Sequence, residues 1–191
     1  MTYPAIIPSP LTGTEPLANT TLSSFWAWAY SNLMDNAERG VLAEYLVHLA
    51  VGGVSSTRTN WDRYDVLSPE GIAIEVKASG YIQTWSQDKL SSIQFSIRPT
   101  IALDEEKNNY AGSPTRQSDI YVFCVHKHTD QETINPLDTE QWEFYVLPTI
   151  ILNEKVGSQK TITLNRIKEL GALVTKYSDL QATILSACDC P

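Results

Sequence analysis

Two acids and a lysine lie close together in the segment YDVLSPEGIAIEVK, residues 64–77. Asp65 and Glu75 stand on either side of a turn, and Lys77 follows Glu75 by two positions. Like charges opposite each other on paired strands are destabilising, so this arrangement needs a compensating cation. Lys77 could be that cation, and so could a metal. Two neighbouring carboxylates can share one Mg²⁺ or Mn²⁺, which would polarise a phosphate and lower the pKa of a bound water, while the lysine could orient or deprotonate that water.

The turn decides whether these three side chains share one face. The sequence SPEG at 68–71 suits a type I turn followed by a left-handed Gly71. This turn places Asp65 opposite Glu75, with Lys77 on the same face. The other face is apolar and should contact the core: Tyr64, Val66, Ile72, Ile74 and Val76. A two-residue loop would shift the pairing by one residue and separate the acids, so the site depends on the bulged turn.

A predicted helix before the hairpin carries a further acid. Asp35 is its expected N-cap, with Glu38 as capping-box partner, and Gly52 ends it. The apolar stripe that should face the core consists of Val41, Leu42, Tyr45, Leu46 and Leu49, with its centre near Tyr45 and Leu49. Glu44 and His48 lie together at the edge of this stripe, where a side chain can face a cleft.

The remaining chain has the order of an α/β or α+β layered fold within one domain over residues 1–191. Four prolines make residues 1–20 a proline-rich extended N-terminal arm, and a first helix begins near Thr20. Strands are predicted at 62–68, 72–78, 93–97, 119–126 and 142–147, a loop at 104–117, and a mostly helical region at 163–186. His126 and His128 have the parity of two metal ligands on one strand face, but no third ligand follows at a suitable spacing, so we expect a strand end entering solvent.

Composition narrows the class of protein. The three cysteines do not form a disulfide framework, and no signal sequence or membrane span is recognisable, so a cytoplasmic protein is expected. The net charge of −8 argues against a broad basic surface that would bind nucleic acid by counterion release. A locally basic groove, or a bound divalent cation, is still compatible with this charge.

An acid on one strand followed by EVK on the next resembles the motif of the PD-(D/E)xK superfamily of restriction-endonuclease-like nucleases. The resemblance covers residues 35–126 and implies an α/β fold with a restriction-endonuclease-like core, a mixed central sheet flanked by helices. It implies that Asp65, Glu75, the backbone carbonyl of Val76 and the helix acid Glu44 bind Mg²⁺ or Mn²⁺, and that Lys77 assists the attacking water. The substrate would be nucleic acid, with DNA expected, and the proline-rich arm could join two subunits of a homodimer.

Two other interpretations remain open from the sequence. The first is a non-catalytic interaction module with the same fold, whose acidic surface binds a protein partner. In that case Lys77 would simply form a cross-strand ion pair with the acids on a solvated hairpin face. The second is a hydrolase with a serine or thiol nucleophile, for which no arrangement of residues stands out. Gln83, Gln87 and Trp85 are candidate substrate contacts in the polar segment after the hairpin.

Overall fold

A five-stranded mixed sheet forms the centre of the computed structural model, which describes residues 9–58, 63–101, 103–104, 109–110 and 113–188. The strands are β1 (Pro16–Leu17), β2 (Thr20–Thr21), β3 (Val66–Leu67), β4 (Ala73–Gly80), β5 (Gln94–Ser96), β6 (Leu103–Asp104), β7 (Asn109–Tyr110), β8 (Ile120–His126), β9 (Trp142–Pro148), β10 (Thr161–Thr163) and β11 (Leu173–Thr175). The helices are α1 (Leu22–Tyr30), α2 (Asn36–Val51), α3 (Thr149–Val156), α4 (Leu164–Glu169) and α5 (Leu180–Cys188), with 3₁₀ turns at Thr139–Gln141 and Tyr177–Asp179.

The central sheet has the strand order β11–β9–β8–β4–β3. Its β4–β8 pair is parallel and its other pairs are antiparallel, and the smaller pairs β1–β2, β5–β10 and β6–β7 lie outside it. One face of the sheet packs against α2 and α5, and the other packs against β5, β10, α3 and α4. The predicted α/β class, a mixed central sheet flanked by helices, is confirmed.

The predicted hairpin register is confirmed. Val66 pairs with Ile74, and Gly71 has the left-handed φ of +85° that the bulged turn requires. The Gly71 N–H donates to the Ser68 carbonyl at 3.0 Å, which closes the turn. Strand β3 is shorter than the predicted span 62–68, and residue 62 lies outside the described ranges. Among the described residues, regular pairing with β4 stops at Val66, and the next N–H of β4 beyond it donates to the Asp65 side chain.

Strand β4 separates apolar from charged side chains by its alternation. Ile74 and Val76 are buried in the core beneath α2. Glu75 and Lys77 point to the opposite face, since successive strand residues alternate. Glu75 is in register with Tyr121 on the neighbouring β8. Tyr121 is part of the apolar cluster on the sheet face that packs against β5, β10, α3 and α4. The two charged residues therefore stand beside an apolar layer instead of in open solvent.

Helix α2 begins and ends as predicted, but the face predicted to be buried is only partly right: Leu46 is buried and Leu42 packs against the core, whereas the rest of the stripe is exposed. The Asp35 side chain accepts a hydrogen bond from the Ala37 N–H, and Gly52 adopts a left-handed conformation at the C-terminal end. The buried side chains are Arg39, Ala43, Leu46, Val47 and Val51. Tyr45 and Leu49, the expected centre of the stripe, are 56% and 51% exposed. Ala43 and Val47 pack against the sheet, and this rotates the larger apolar side chains outward.

Three other predictions concern individual elements. The region 163–186 is mostly helical as predicted, through α4, the 3₁₀ turn Tyr177–Asp179 and α5, but β11 interrupts it and pairs with β9 at the edge of the sheet. Of the predicted N-terminal arm, residues 1–8 lie outside the described ranges, and the rest contains the β1–β2 pair. The segment 104–117 contributes β7 and a bridge between Thr100 and Thr115 among its described residues.

Arg39 links α2 to the far end of β4. Its guanidinium is buried and donates to the carbonyls of Met34 and Ile82 and to Gln83 Oε1. A Cβ atom at Gly80 would lie 3.0 Å from this guanidinium, closer than an ordinary contact, so glycine leaves room for Arg39 here. This packing holds the strand that carries Glu75 and Lys77 against the helix that carries Glu44. In the part of the chain that the structure describes, no helix is long and apolar enough to cross a membrane.

Candidate active site

Asp65 occupies the open edge of β4 just beyond the end of β3. Its Oδ2 accepts a hydrogen bond from the Val76 N–H at 2.7 Å, and its own N–H donates to the Ile74 carbonyl at 3.0 Å. The side chain thus replaces a strand partner by satisfying one N–H of β4. In a strand the carbonyl of a residue points to the same side as its N–H. The Val76 carbonyl therefore points toward Asp65, where the resemblance predicts a ligand.

Lys77 lies between the two acids. Its Nζ is 2.6 Å from Glu75 Oε1 and 3.8 Å from Asp65 Oδ2. The three side chains are 23–27% exposed, so they face a recess and not bulk solvent. The structure therefore brings together the three residues that the sequence placed on one hairpin face, and Lys77 supplies a compensating positive charge. That charge is single, whereas Asp65 and Glu75 together carry two negative charges when ionised.

Burial and the excess of negative charge both affect the pKa of Asp65. Burial, followed by repulsion from Glu75, raises the pKa of Asp65 to about 6, against the stabilising effects of Lys77 and the Val76 N–H. For Lys77, burial alone would lower the pKa, but attraction to Glu75 and Asp65 outweighs it and the pKa is raised. Ionised Asp65 thus lies in a negative potential that additional positive charge would relieve.

Glu44 reaches the same region from α2. It forms a two-point ion pair with Arg58, with Nε–Oε2 at 2.5 Å and Nη2–Oε1 at 2.9 Å. Glu44 also contributes to raising the pKa values of Asp65 and Lys77, which shows that the four charges interact. A cavity of about 410 Å³ joins Glu44 and Asp65. We call it the α2–β3 cavity; it is lined by α2 side chains between Val41 and His48, by residues 54–58 and by residues 64–67.

Arg58 was missed by sequence reasoning. It lies in an irregular segment between helix and hairpin, where no periodicity indicates which way a side chain points. The one available signal was a cation a few residues before the hairpin acids. Only the packing of this segment against α2 brings Arg58 to Glu44.

Two carboxylates, Asp65 and Glu75, converge on one lysine at this edge of β4. Within the described ranges, no three His, Cys, Asp or Glu side chains converge as a metal-binding group. Mg²⁺ is typically held by one or two carboxylates, with water and substrate phosphate completing its shell. Asp65 and Glu75, with Glu44 nearby, offer such a set of carboxylates.

Other sequence candidates have structural partners. Gln83 and Gln87 bond within their own loop: the Gln87 Oε1 accepts from the Gln83 N–H at 2.7 Å, and both amides donate to Ser91 Oγ. The expectation that His126 enters solvent is wrong, because its side chain is buried. Its ring centroid lies 4.9 Å from that of Trp142. Burial, followed by the charge of Arg39, lowers the pKa of His126 to about 4. Trp85 is 54% exposed.

A family comparison bears directly on this cluster of charged residues. Residues 22–166, about three quarters of the chain, match the family model described as bacteriophage T4 endonuclease IV. The chain belongs to the bacteriophage T4 endonuclease IV family. The matched span includes Glu44, Arg58, Asp65, Glu75 and Lys77. A search of curated proteins finds no significant match. Membership of the endonuclease IV family makes this chain a nuclease, a hydrolase that acts on nucleic acid.

Proposed function

We propose that this endonuclease IV family member is a Mg²⁺-dependent endonuclease that hydrolyses phosphodiester bonds in DNA. The observation that carries the proposal is the pair Asp65 and Glu75, joined through Lys77 at the open edge of β4. The order of helix acid, hairpin acid and Glu-x-Lys supports the resemblance to the PD-(D/E)xK superfamily, which we retain as part of the proposal. Mn²⁺ is expected to substitute for Mg²⁺.

Asp65, Glu75 and the Val76 carbonyl are the proposed metal ligands, and Glu44 is a further ligand reaching in from α2. When bound, the cation would supply Lewis-acid polarisation of a phosphate and a bound water of lowered pKa. Its positive charge would also offset the repulsion that raises the pKa of Asp65. The hydrogen bond from the Val76 N–H holds the Asp65 carboxylate in one orientation, so the protein positions this ligand before substrate arrives.

Lys77 is proposed to act on the attacking water and on the charge that develops at phosphorus. Its side chain lies on the same face as both acids and is 27% exposed. Because the pKa of Lys77 is raised, the side chain is protonated at neutral pH. A protonated lysine orients water by hydrogen bonding and stabilises negative charge on phosphate oxygens. Taking a proton from water would first require Lys77 to lose its own.

The experiment that tests the proposal is nicking of supercoiled plasmid in Mg²⁺ or Mn²⁺. Wild-type protein should convert the plasmid to open-circular and linear forms, and Glu75→Gln should abolish this because it removes one charge from the ligand pair without changing its size. Glu70→Gln, in the exposed turn of the same hairpin, is the matched control and should cleave like wild type. Urea unfolding should show that Glu75→Gln is folded.

Two results would contradict the proposal. Cleavage retained in folded Glu75→Gln would exclude Glu75 from the site, and wild-type cleavage unaffected by EDTA would exclude the metal. Cleavage of RNA but not DNA by the wild-type protein would correct the substrate alone.

A further inference from the structure

Building on the proposed function, we infer that Arg58 is a DNA-binding residue that holds a backbone phosphate next to the scissile one, at the mouth of the α2–β3 cavity. This assigns a second role to the side chain that pairs with Glu44. The inference concerns substrate binding, so it can fail while the nuclease function stands.

The position of Arg58 favours contact with substrate. Arg58 and Asp65 line the same cavity, so a strand whose phosphate lies at Asp65 can place a neighbouring phosphate near Arg58. The Arg58 side chain is 40% exposed, whereas its partner Glu44 is only 14% exposed. The guanidinium therefore covers the carboxylate on the solvent side. An incoming anion meets Arg58 before it meets Glu44.

The negative charges of the site favour a further cation at this position. Asp65, Glu75 and Glu44 together carry three negative charges when ionised, and the whole chain has a net charge of −8. A phosphodiester approaching such a site is repelled unless positive charge lies on its path. Among the cavity-lining residues that the structure describes, Arg58 is the one lysine or arginine.

The buried arginines cannot serve in its place. Arg39 donates to the carbonyls of Met34 and Ile82, and Arg116 donates to those of Ile97 and Gly157. Both side chains are fixed inside the fold. Arg58 instead combines partial exposure with a position in the cavity.

The chemistry of the Arg58–Glu44 pair allows a phosphate to bind. A guanidinium fork binds a carboxylate and a phosphate in the same two-point geometry. The Arg58 side chain is 40% exposed, so its guanidinium can be reached by a phosphate from the solvent side while it stays beside Glu44. In the free protein, Glu44 thus holds Arg58 ready at the cavity mouth.

The test is DNA binding in EDTA, measured by fluorescence anisotropy with a labelled oligonucleotide, single-stranded and duplex, between about 50 and 200 mM salt. Arg58→Ala loses one phosphate contact, so it should bind DNA about tenfold more weakly than wild type at low salt. It should also reduce the slope of log K against log salt by about 0.7 to 1. Arg58→Lys should keep most of the slope and lose part of the affinity, because it retains the charge without the fork.

Arg166→Ala is the matched control. Arg166 is 43% exposed and pairs with Glu169 at 3.0 Å, but it lies on α4 outside the cavity. Its removal changes the net charge by the same amount as Arg58→Ala. The slope should therefore fall in Arg58→Ala and stay near the wild-type value in Arg166→Ala. Equal slopes in the two variants would overturn the inference.

Glu44→Gln separates direct binding from positioning. Removing the negative partner should strengthen DNA binding, and Arg58→Ala should still weaken binding in the Glu44→Gln background. If the effect of Arg58→Ala disappears in that background, Arg58 acts through Glu44 and the inference is wrong. If wild-type protein binds no DNA in EDTA, the inference also fails, whereas the nicking assay decides the proposed function separately.

Discussion

Replacing Asp65 with Asn should stabilise the protein at neutral pH while abolishing cleavage. The carboxylate is ionised at pH 7 within a site whose burial and whose neighbour Glu75 disfavour that charge. Asn is nearly isosteric and its amide oxygen can still accept the hydrogen bond from the Val76 N–H. The substitution therefore removes the charge and keeps the contact.

The size of the effect follows from the pKa. A rise from 3.8 to about 6 is roughly two pKa units, which corresponds to about 3 kcal/mol at 1.36 kcal/mol per unit. Asp65 is 24% exposed, and solvent screening reduces this value. We expect Asp65→Asn to raise the free energy of unfolding at pH 7 by about 1–3 kcal/mol.

The pH dependence has a definite sign. A raised pKa means that the folded state binds the Asp65 proton more tightly than the unfolded state does, so wild-type stability from this group rises as pH falls from about 6 toward 3.8. The advantage of Asp65→Asn should thus be full above pH 6 and shrink toward pH 4. The ion pair with Lys77 does not change the direction of this pH dependence, because its effect is already included in the raised pKa of Asp65.

The assay is urea unfolding at pH 7 and pH 4.5 in EDTA, with Glu70→Gln as the control. Glu70 is exposed in the hairpin turn, so its neutralisation should change stability by less than about 0.5 kcal/mol. A variant Asp65→Asn that is less stable than wild type at pH 7, or whose advantage is the same at both pH values, would refute the reasoning. Either result would mean that Lys77 fully compensates the acids.

The remaining predictions concern metal binding and two glycines. Mg²⁺ or Mn²⁺ should raise the Tm of the wild-type protein, because a ligand that binds only the folded state stabilises it. The rise should be absent in Glu75→Gln. An equal rise in both proteins would mean that the metal binds elsewhere. Gly80→Ala should destabilise the protein by about 1–3 kcal/mol, because the new Cβ lies 3.0 Å from the buried Arg39 guanidinium. Gly40→Ala, within α2 and with no atom within 4 Å of the added Cβ, should instead stabilise it by about 0.5–1 kcal/mol. Urea unfolding measures both variants. A stable Gly80→Ala or a destabilised Gly40→Ala would contradict this account of the packing at that glycine.

The hairpin was predictable because its determinants are local. The turn residues select one register, and that register alone puts Asp65, Glu75 and Lys77 on one face. The ends of α2 were predictable for the same reason, since an N-cap and a C-terminal glycine act within one helical turn. The position of Asp65, Glu75 and Lys77 on one face can therefore be predicted from residues 64–77 alone.

The buried face of α2 and the strand β11 were not predictable in this way. Tyr45 and Leu49 look like core residues, yet they face outward because the sheet accepts the smaller Ala43 and Val47. Leu173–Thr175 becomes a strand because β9 offers an open edge to pair with. In both cases the outcome depends on partners distant in sequence, which a periodicity within one segment does not contain.

The sequence by itself determined which acids and which lysine share the edge of the hairpin, since alternation and turn geometry act between near neighbours. Only the tertiary structure decided that Glu44 joins them, that Arg58 covers Glu44, and that a cavity opens beside Asp65. The physical reason is distance along the chain. Strand register is set within a few residues, whereas the meeting of a helix, a loop and a strand edge is set by how the whole core packs.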